Sequence, residues 1–213
     1  RATDVSIDRL GRVSCTVAAG ERTERLSLRL VGEHHLTNAL ATLAAAVELG
    51  VDLTEAAALV GSSDPASPHR MAVTDRADGV TIIDDSYNAN PDSMRAALKA
   101  LAVVAGRDRR SVAVLGEMLE LGPDSRDQHD EIGRLVVRLN IKLLVVVGAG
   151  ASGLADGATQ EGSWGKEVVE VEDVAAAERF LADELRSGDV VLVKSSNGSG
   201  LWRLGDSLTA VTA

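Results

Sequence analysis

The residues best suited to chemistry stand together between Thr81 and Met94, where an apolar run gives way to a polar loop. The run ends in two adjacent carboxylates, Asp84 and Asp85, and the sequence SYNANP follows them. Asn, Ser and Pro together end a strand and begin a loop, and Pro is tolerated as the first residue of a helix. The pattern predicts a strand end that carries carboxylate, hydroxyl, phenol and amide groups, which is more polar chemistry than a connection needs.

The elements that must position this loop differ on its two sides. Residues 2–31 alternate polar and apolar between glycines, which predicts a small antiparallel meander, and helical spacing predicts a helix over His34 to Leu49. Beyond Pro91, continuous Val and Leu runs alternate with helical patterns, which indicates a parallel sheet covered on both faces. We therefore predict an α/β chain of two domains, 1–86 and 87–213. The predicted strands around and after the loop are 72–75, 80–83, 111–115, 143–147, 167–171 and 190–193, and the predicted helices after it are 92–105, 126–139, 174–186 and 201–208.

The composition restricts the class of protein. The 213 residues are 45% hydrophobic but only 2% aromatic, so the core must be aliphatic, which favours α/β layers over a β-sandwich. The net charge of −10 argues against binding to nucleic acid or to anionic membranes, and no apolar run approaches the roughly 20 residues of a membrane span. The single cysteine, Cys15, excludes an internal disulfide. These features predict a cytoplasmic protein, and because the chain starts at Arg1 without Met we expect a fragment of a longer one.

A glycine motif, Gly148–Gly153, follows a predicted strand with the spacing G-x-G-x-x-G, and Glu170 or Glu172 stands about 20 residues further on. This spacing is typical of dinucleotide sites, where it lies on the first βα turn. Here the strand Ser111–Leu115 precedes it. We therefore favour a turn of small residues that lets a helix pack close to the sheet.

Other polar groups follow two of the predicted parallel strands. Glu117 comes after the strand that ends at Leu115, and Lys194 and Ser195 end the last strand. Because the carboxyl ends of parallel strands face the ligand crevice, Glu117 is better placed for a ligand than an average surface glutamate, and the last strand repeats the arrangement. A lysine beside hydroxyl groups is suited to a carboxylate ligand.

Three further features each have a bland and a functional interpretation. His34 and His35 begin a helix with Asn38 one turn later, which fits either helix capping or a polar helix start presented to an anion. Arg70 is either a solvated charge or a ligand for an anion. His129–Asp130 lies within a helical pattern and is interpreted as a cap or a surface pair rather than as catalytic.

In order along the chain, five motifs resemble the Mur ligase family, and together they cover nearly the whole sequence. They are GEHHLTNALA at 32–41, HRM at 69–71, DSYNANPDSM at 85–94, LGEMLELG at 115–122 and VKS at 193–195. The resemblance implies a ligase of peptidoglycan synthesis that uses ATP and Mg²⁺ to convert the carboxylate of UDP-N-acetylmuramoyl-tripeptide to an acyl phosphate. The amine of D-alanyl-D-alanine would then attack this acyl phosphate.

The family has three domains, and the resemblance implies that residues 1–86 form the end of the central ATPase domain. Residues 87–213 would form the Rossmann-like domain for the incoming amino compound. The phosphate loop, the metal-binding glutamate and the modified lysine of the family would lie upstream, so we expect the Mg²⁺ ligands there. We also expect a monomer, and we expect that this fragment alone does not turn over ATP.

Site residues are carried over from the family position by position. Asn38 and Arg70 match nucleotide-contacting positions, with Arg70 near the phosphates as the catalytic residue, and Asp85 matches the acid that holds the ATP ribose. The residues that match the hinge beside the nucleotide are Tyr87, Asn88 and Asn90, and those expected to meet the dipeptide are Glu117, Lys194 and Ser195. His35 departs from the family pattern, since many relatives have Asn there. Asp84 is interpreted as a flanking strand residue whose replacement should do little.

Two alternatives remain open at this stage. One is a sister ligase that adds a different amino acid, or adds glutamates to folate. The other is a non-catalytic module that binds a dinucleotide through Gly148–Gly153.

Overall fold

The computed structural model describes residues 1–8, 11–63, 68–162 and 166–210. It divides the chain into two compact units, 1–67 and 68–213. The division comes earlier than the predicted boundary at 86/87, because the two strands between 72 and 84 pair with the large sheet of the second unit. The polar loop therefore lies inside the second unit rather than at its edge.

The first unit is a three-stranded antiparallel sheet with two helices. Its elements are β1 (Ala2–Ile7), β2 (Arg12–Ala19), β3 (Arg22–Val31), α1 (His34–Glu48) and α2 (Leu53–Ser62). Every second residue of β2 is buried, from Val13 through Cys15 to Val17, and these side chains pack with Ala39 and Leu43 of α1. The predicted meander and helix are thus confirmed. Period-two alternation indicated the strands, and helical spacing indicated α1.

The second unit contains one six-stranded sheet in the order β4-β5-β9-β6-β7-β8. Its strands are β4 (Ala72–Asp75), β5 (Thr81–Asp84), β6 (Ser111–Leu115), β7 (Leu143–Val147), β8 (Val168–Val171) and β9 (Val190–Lys194). Its α-helices are α3 (Pro91–Ala105), α4 (Ser125–Arg138), α5 (Gly153–Glu161), α6 (Val174–Glu184) and α7 (Trp202–Ala210). Within residues 68–162 and 166–210, only β4 runs antiparallel to its neighbour, and the other five strands of the sheet are parallel. The predicted parallel sheet is confirmed.

All residues of β6, β7 and β9 are buried, which explains their continuous apolar sequences. One face packs on α6 and α7, where Val112, Val114, Val191 and Val193 form a cluster with Leu204. On the other side, α3 packs on β6 and β9 and against α4, which in turn packs on α5. Among the residues that the structure describes, none of the helices combines the length and the apolar sequence that a membrane span requires.

A topological switch point lies between β6 and β9. These strands are adjacent and parallel, yet β6 leads to α4 on one face and β9 leads to α7 on the other. Opposite departures of this kind open a crevice at the carboxyl ends of the two strands, and ligands of open α/β sheets bind there. The loops after β5, β6 and β9 border this crevice.

Glycines let α4 and α5 pack with their backbones in contact. A Cβ atom on Gly133 would overlap the carbonyl oxygen of Leu154, and one on Gly157 would overlap the carbonyl oxygen of Asp130. Gly153, the last glycine of the G-x-G-x-x-G motif, leaves 2.9 Å between a built Cβ and the carbonyl oxygen of Arg126. These contacts support the small-residue interpretation of the motif, with α4 rather than the sheet as the close neighbour.

We predict that Gly157→Ala destabilises the second unit. Alanine is favoured over glycine in a helix by about 1 kcal/mol. The overlap is with backbone, which no rotamer change relieves, and overpacking costs about 1–3 kcal/mol. Denaturant unfolding of the 213-residue chain should show a net loss, while Thr159→Ala, an exposed site on the same helix, should stay near wild type. A gain in stability for Gly157→Ala would contradict the close packing.

Candidate functional site

A groove of about 550 Å³ lies where the loops after β5, β6 and β9 meet. It is lined by Tyr87, Asn88, Ala89, Asn90, Leu119, Glu120, Leu121, Ser196, Asn197 and Gly198. Its position is the switch point of the sheet, so the location expected of a ligand site is also the location of a groove rich in polar groups.

Lys194 ends β9 with its side chain buried, only 1% of the residue being exposed. Its ammonium donates to the Asp85 carboxylate at 2.5 Å and to the Asn88 carbonyl oxygen at 2.9 Å. The other oxygen of Asp85 accepts the Met71 N–H at 3.0 Å. An unpaired buried ammonium would be strongly unfavourable, so this pair holds the polar loop onto the sheet. The geometry does not support the predicted contact of Lys194 with a substrate carboxylate.

Asp84, interpreted from the sequence as a flanking strand residue, is buried at the centre of a hydrogen-bond network. One carboxylate oxygen lies 2.7 Å from His69 Nδ1, and the other accepts from the Ser86 hydroxyl and N–H at 2.6 and 3.1 Å. Asp84 is therefore more than a flanking strand residue, and we now expect its replacement to destabilise the second unit. Removal of this carboxylate would leave several buried donors unsatisfied, which costs about 1–3 kcal/mol for each such group.

Arg70 sits in a tight turn, with positive φ angles of 58° at His69 and 49° at Met71. Its guanidinium carbon lies 4.1 Å from the centre of the Tyr87 ring, and the Tyr87 N–H donates to the His69 carbonyl oxygen at 2.9 Å. Within the described ranges, no carboxylate forms an ion pair with Arg70. The cation is thus held by an aromatic face and remains available to an anionic ligand.

The two asparagines of the loop have defined local roles. Asn90 caps α3, since its side chain accepts the Ser93 N–H at 2.8 Å and its own N–H donates to the Ser93 hydroxyl at 3.0 Å. The Asn88 side-chain oxygen accepts the Ala89 N–H at 2.9 Å. Both asparagines line the groove. The loop is therefore shaped by its own amide groups as well as by Lys194.

Glu117 and Ser195 have different surroundings. Ser195 is fully buried and its hydroxyl donates to the Ser196 carbonyl oxygen at 3.1 Å, so the geometry does not support its predicted contact with substrate. Glu117 is half-buried, and its carboxylate lies so close to Gly150 that a Cβ there would overlap it. Among the described residues, none donates a hydrogen bond to this carboxylate. Of Glu117, Lys194 and Ser195, the three residues that follow parallel strands, Glu117 is the one whose charged group a ligand could contact.

Sequence reasoning missed two residues that organise the site. The Ser196 hydroxyl donates to the Ala89 carbonyl oxygen at 3.2 Å and accepts the Leu119 N–H at 2.9 Å, which joins three loops. His129 is buried, and its Nε2 accepts the Met118 N–H at 2.9 Å. The interpretation of His129 as a cap or surface residue is wrong. Its helical spacing with the buried Ile132 and Val136 was the available signal.

The chain matches known proteins over most of its length. The family profile described as "Mur ligase, glutamate ligase domain" matches residues 69–197. The chain belongs to the Mur ligase family. The match begins close to the structural division at 67/68, which agrees with the second compact unit as one domain of a Mur ligase.

Several relatives carry the same description, "UDP-N-acetylmuramoyl-tripeptide--D-alanyl-D-alanine ligase". The Mycobacterium bovis protein is 48% identical over 98% of this chain and 44% of the relative, and the Mycobacterium leprae protein is 49% identical over 96% and 43%. The crystal structure of MurF from Acinetobacter baumannii matches 99% of this chain and 44% of its own, with a TM-score of 0.84 at 27% identity. The chain therefore spans less than half the length of these relatives.

The remaining predicted residue of this Mur ligase chain, Asn38, lies on α1 in the first unit and is exposed. The rings of His34 and His35 precede it with centroids 4.1 Å apart. His35 Nε2 is buried without a hydrogen-bond partner among the described residues. Burial, and then the charge of His34, lower the pKa of His35 to about 4.

A metal site needs several ligand side chains close together. Across the ranges that the structure describes, no group of three or more His, Cys, Asp or Glu side chains is placed to hold a metal ion. The expectation that the Mg²⁺ ligands lie upstream remains a prediction.

We predict that the Lys194–Asp85 pair is asymmetric. Asp85→Asn leaves an ammonium that is 2% exposed without its counter-charge, whereas Lys194→Met leaves a carboxylate that is 15% exposed and keeps the Met71 N–H. Breaking a buried pair costs about 3–5 kcal/mol, so Asp85→Asn should approach that loss of unfolding free energy and Lys194→Met should lose less. Asp156→Asn, which breaks an exposed ion pair with Arg126, is the control and should change little. Equal losses in the two variants would contradict the asymmetry.

A second prediction concerns pH. The pKa of His35 is lower in the folded chain than in the unfolded chain. The unfolded chain therefore takes up a proton on His35 near pH 6.5, whereas the folded chain does so only near pH 4. The stability that neutral His35 contributes is present above 6.5 and is lost as the pH falls towards 4. As the pH is lowered across this window, the free energy of unfolding should fall more steeply in the wild type than in His35→Asn. Parallel pH profiles for the two proteins would refute the burial of His35.

Proposed function

We propose that this chain is the carboxyl-terminal part of an ATP-dependent ligase of peptidoglycan synthesis, which joins D-alanyl-D-alanine to UDP-N-acetylmuramoyl-tripeptide. The observation that carries the proposal is the polar groove at the switch point, in a chain 48% identical over 98% of its length to a ligase of that description. In this proposal the first compact unit is the end of the ATP-binding domain. The second unit is the domain for the incoming amino compound.

Glu117 is the proposed contact for the dipeptide amine. Its carboxylate is half-buried, has no donor among the described residues and follows a strand that borders the crevice. A carboxylate in this setting forms a strong, charge-assisted hydrogen bond with an ammonium group. Lys194 and Ser195, which sequence reasoning assigned to the dipeptide, support the loops instead.

The proposed nucleotide contacts lie mainly on the polar loop. Asp85 is the proposed contact for a ribose hydroxyl, because it lies on this loop and its carboxylate oxygens can each accept more than one hydrogen bond. Arg70 over Tyr87 would supply positive charge for the phosphates, and Asn88 and Asn90 line the groove together with Tyr87. ATP would supply the phosphoryl group that activates the tripeptide carboxylate, and a related MurF of Thermotoga maritima was solved with ADP.

The chain's own contribution to the reaction would be orientation and charge. A guanidinium held in place by an aromatic ring stabilises anionic oxygens without reorganising when they form. A carboxylate that fixes the amine holds the nucleophile against the acyl carbon, which reduces the entropy that the reaction must lose. Asn38 of the first unit stays a proposed nucleotide contact.

The alternatives receive less support. A sister ligase would not be expected to match ligases of one description at 48% and 49% identity. A dinucleotide site at Gly148–Gly153 would need these glycines for ligand approach, yet Gly150 lies against Glu117 and Gly153 against α4.

We predict that the full-length protein carrying this sequence releases phosphate only when both tripeptide substrate and D-alanyl-D-alanine are present. Glu117→Gln should raise the KM for the dipeptide by about tenfold, the equivalent of one charge-assisted hydrogen bond, and leave the KM for ATP near wild type. Glu172→Gln, an exposed carboxylate after β8, is the matched control and should change neither KM.

Two results would count against the proposed function. Phosphate release that does not depend on the dipeptide would contradict the proposed reaction. An unchanged KM for the dipeptide in Glu117→Gln would contradict the proposed contact of Glu117 with the amine. The 213-residue chain assayed alone should release no phosphate.

A further inference from the structure

The segment after β6, residues 116–119, has no regular secondary structure, and its backbone is held by groups from elsewhere. Gly116 N–H donates to the Lys194 carbonyl oxygen at 3.0 Å, and the Glu117 carbonyl oxygen accepts the Ser196 N–H at 2.9 Å. The next two N–H groups, of Met118 and Leu119, are taken by side chains rather than by backbone. The direction in which Glu117 points is therefore set from outside its own segment.

The first of these side chains is His129 of α4. Its Nε2 lies 2.9 Å from the Met118 nitrogen, and its Nδ1 lies 2.6 Å from the Ser125 carbonyl oxygen. The backbone N–H can only donate, so Nε2 must be the acceptor and Nδ1 must carry the hydrogen that is donated to Ser125. Both ring nitrogens are thus used, and a buried imidazole is fixed in one orientation.

The second side chain is Ser196, after β9. It is buried and accepts the Leu119 N–H while it donates to the Ala89 carbonyl oxygen of the polar loop. Two consecutive N–H groups are consequently held from two directions, by α4 and by the loop after β9. The residue immediately before them is Glu117, whose carboxylate has no protein donor of its own among the described residues.

We propose that His129 and Ser196 are positioning residues for Glu117. By accepting the N–H groups of Met118 and Leu119, they fix the backbone from which the Glu117 carboxylate meets the substrate amine. The inference rests on the proposed function, in which that carboxylate binds the ammonium group of D-alanyl-D-alanine.

A purely structural histidine would behave differently. A buried residue of α4 such as Val136 also supports the fold but makes no hydrogen bond to the segment. Truncation of Val136 should lower the stability of the fold without changing the orientation of the Glu117 side chain. The distinguishing property of His129 is therefore a selective effect on the dipeptide, and the acceptor atom is its cause.

The test uses the full-length protein and four variants. His129→Leu removes the acceptor, and it should raise the KM for D-alanyl-D-alanine by about tenfold, the size of one lost hydrogen bond, with the KM for ATP within about twofold. His129→Gln keeps a side-chain acceptor and should recover most of the wild-type KM. Ser196→Ala should also raise the dipeptide KM, and because it releases the Ala89 carbonyl oxygen of the polar loop as well, its KM for ATP is free to change. Val136→Ala should lower the melting temperature without raising the dipeptide KM.

A double variant tests whether the effect runs through Glu117. If it does, His129→Leu added to Glu117→Gln should raise the dipeptide KM no further than Glu117→Gln does alone. Full additivity of the two changes would overturn the inference, and so would equal increases in both KM values in His129→Leu.

Amide hydrogen exchange separates failure of this inference from failure of the proposed function. In His129→Leu the Met118 amide should exchange at least about tenfold faster than in the wild type, since its buried acceptor is gone. If the wild type shows no dipeptide-dependent phosphate release but Met118 exchange accelerates, the proposed reaction is wrong and the positioning of the segment stands. If Met118 exchange is unchanged, the positioning role of His129 is wrong.

Discussion

The buried ammonium of Lys194 is the constraint on which the rest of the site depends. A cation that is almost fully excluded from water must be matched by acceptors nearby, since the penalty for an unpaired buried charge is several kcal/mol. The acceptors come from the segment after the neighbouring strand, as the Asp85 carboxylate and the Asn88 carbonyl oxygen. The polar loop is consequently fixed to the end of β9, and its remaining groups are presented at the crevice.

The central place of β9 in the sheet extends this constraint to the other side of the groove. β9 lies between β5 and β6, so the residues that follow it reach the loops of both neighbours. Ser196 bonds to both, and Ser196 N–H also holds the Glu117 carbonyl oxygen. The loops after β5 and β6 are thereby both attached to the end of β9. In the proposed ligase, this attachment would set the distance between the two reactants.

Local sequence patterns predicted the elements well, because period two, helical spacing and continuous apolar runs each report burial directly. They did not predict which side chains meet. Lys194 and Asp85 are 109 residues apart, and their pairing follows from β9 inserting between β5 and β6, which no local pattern encodes. The same insertion moved the domain boundary, since β4 and β5 belong to the sheet of the second unit. Asp84 was undervalued because its partner His69 comes from outside its strand, and only the fold shows that the carboxylate is buried.

At the carboxyl ends of parallel strands, ligand-binding residues are therefore distinguished from structural ones by the protein groups that their polar atoms already contact. Lys194, Ser195 and Glu117 look alike in sequence, as polar residues that end buried strands. In the structure the Lys194 and Ser195 side chains donate to neighbouring protein groups, while the Glu117 carboxylate meets no donor among the described residues. Unmet hydrogen-bonding capacity at a half-buried carboxylate is what a ligand can satisfy. This also explains why His129 and Ser196 hold the two residues that follow Glu117. No described side chain fixes the Glu117 carboxylate directly, so its orientation depends on the position of its backbone.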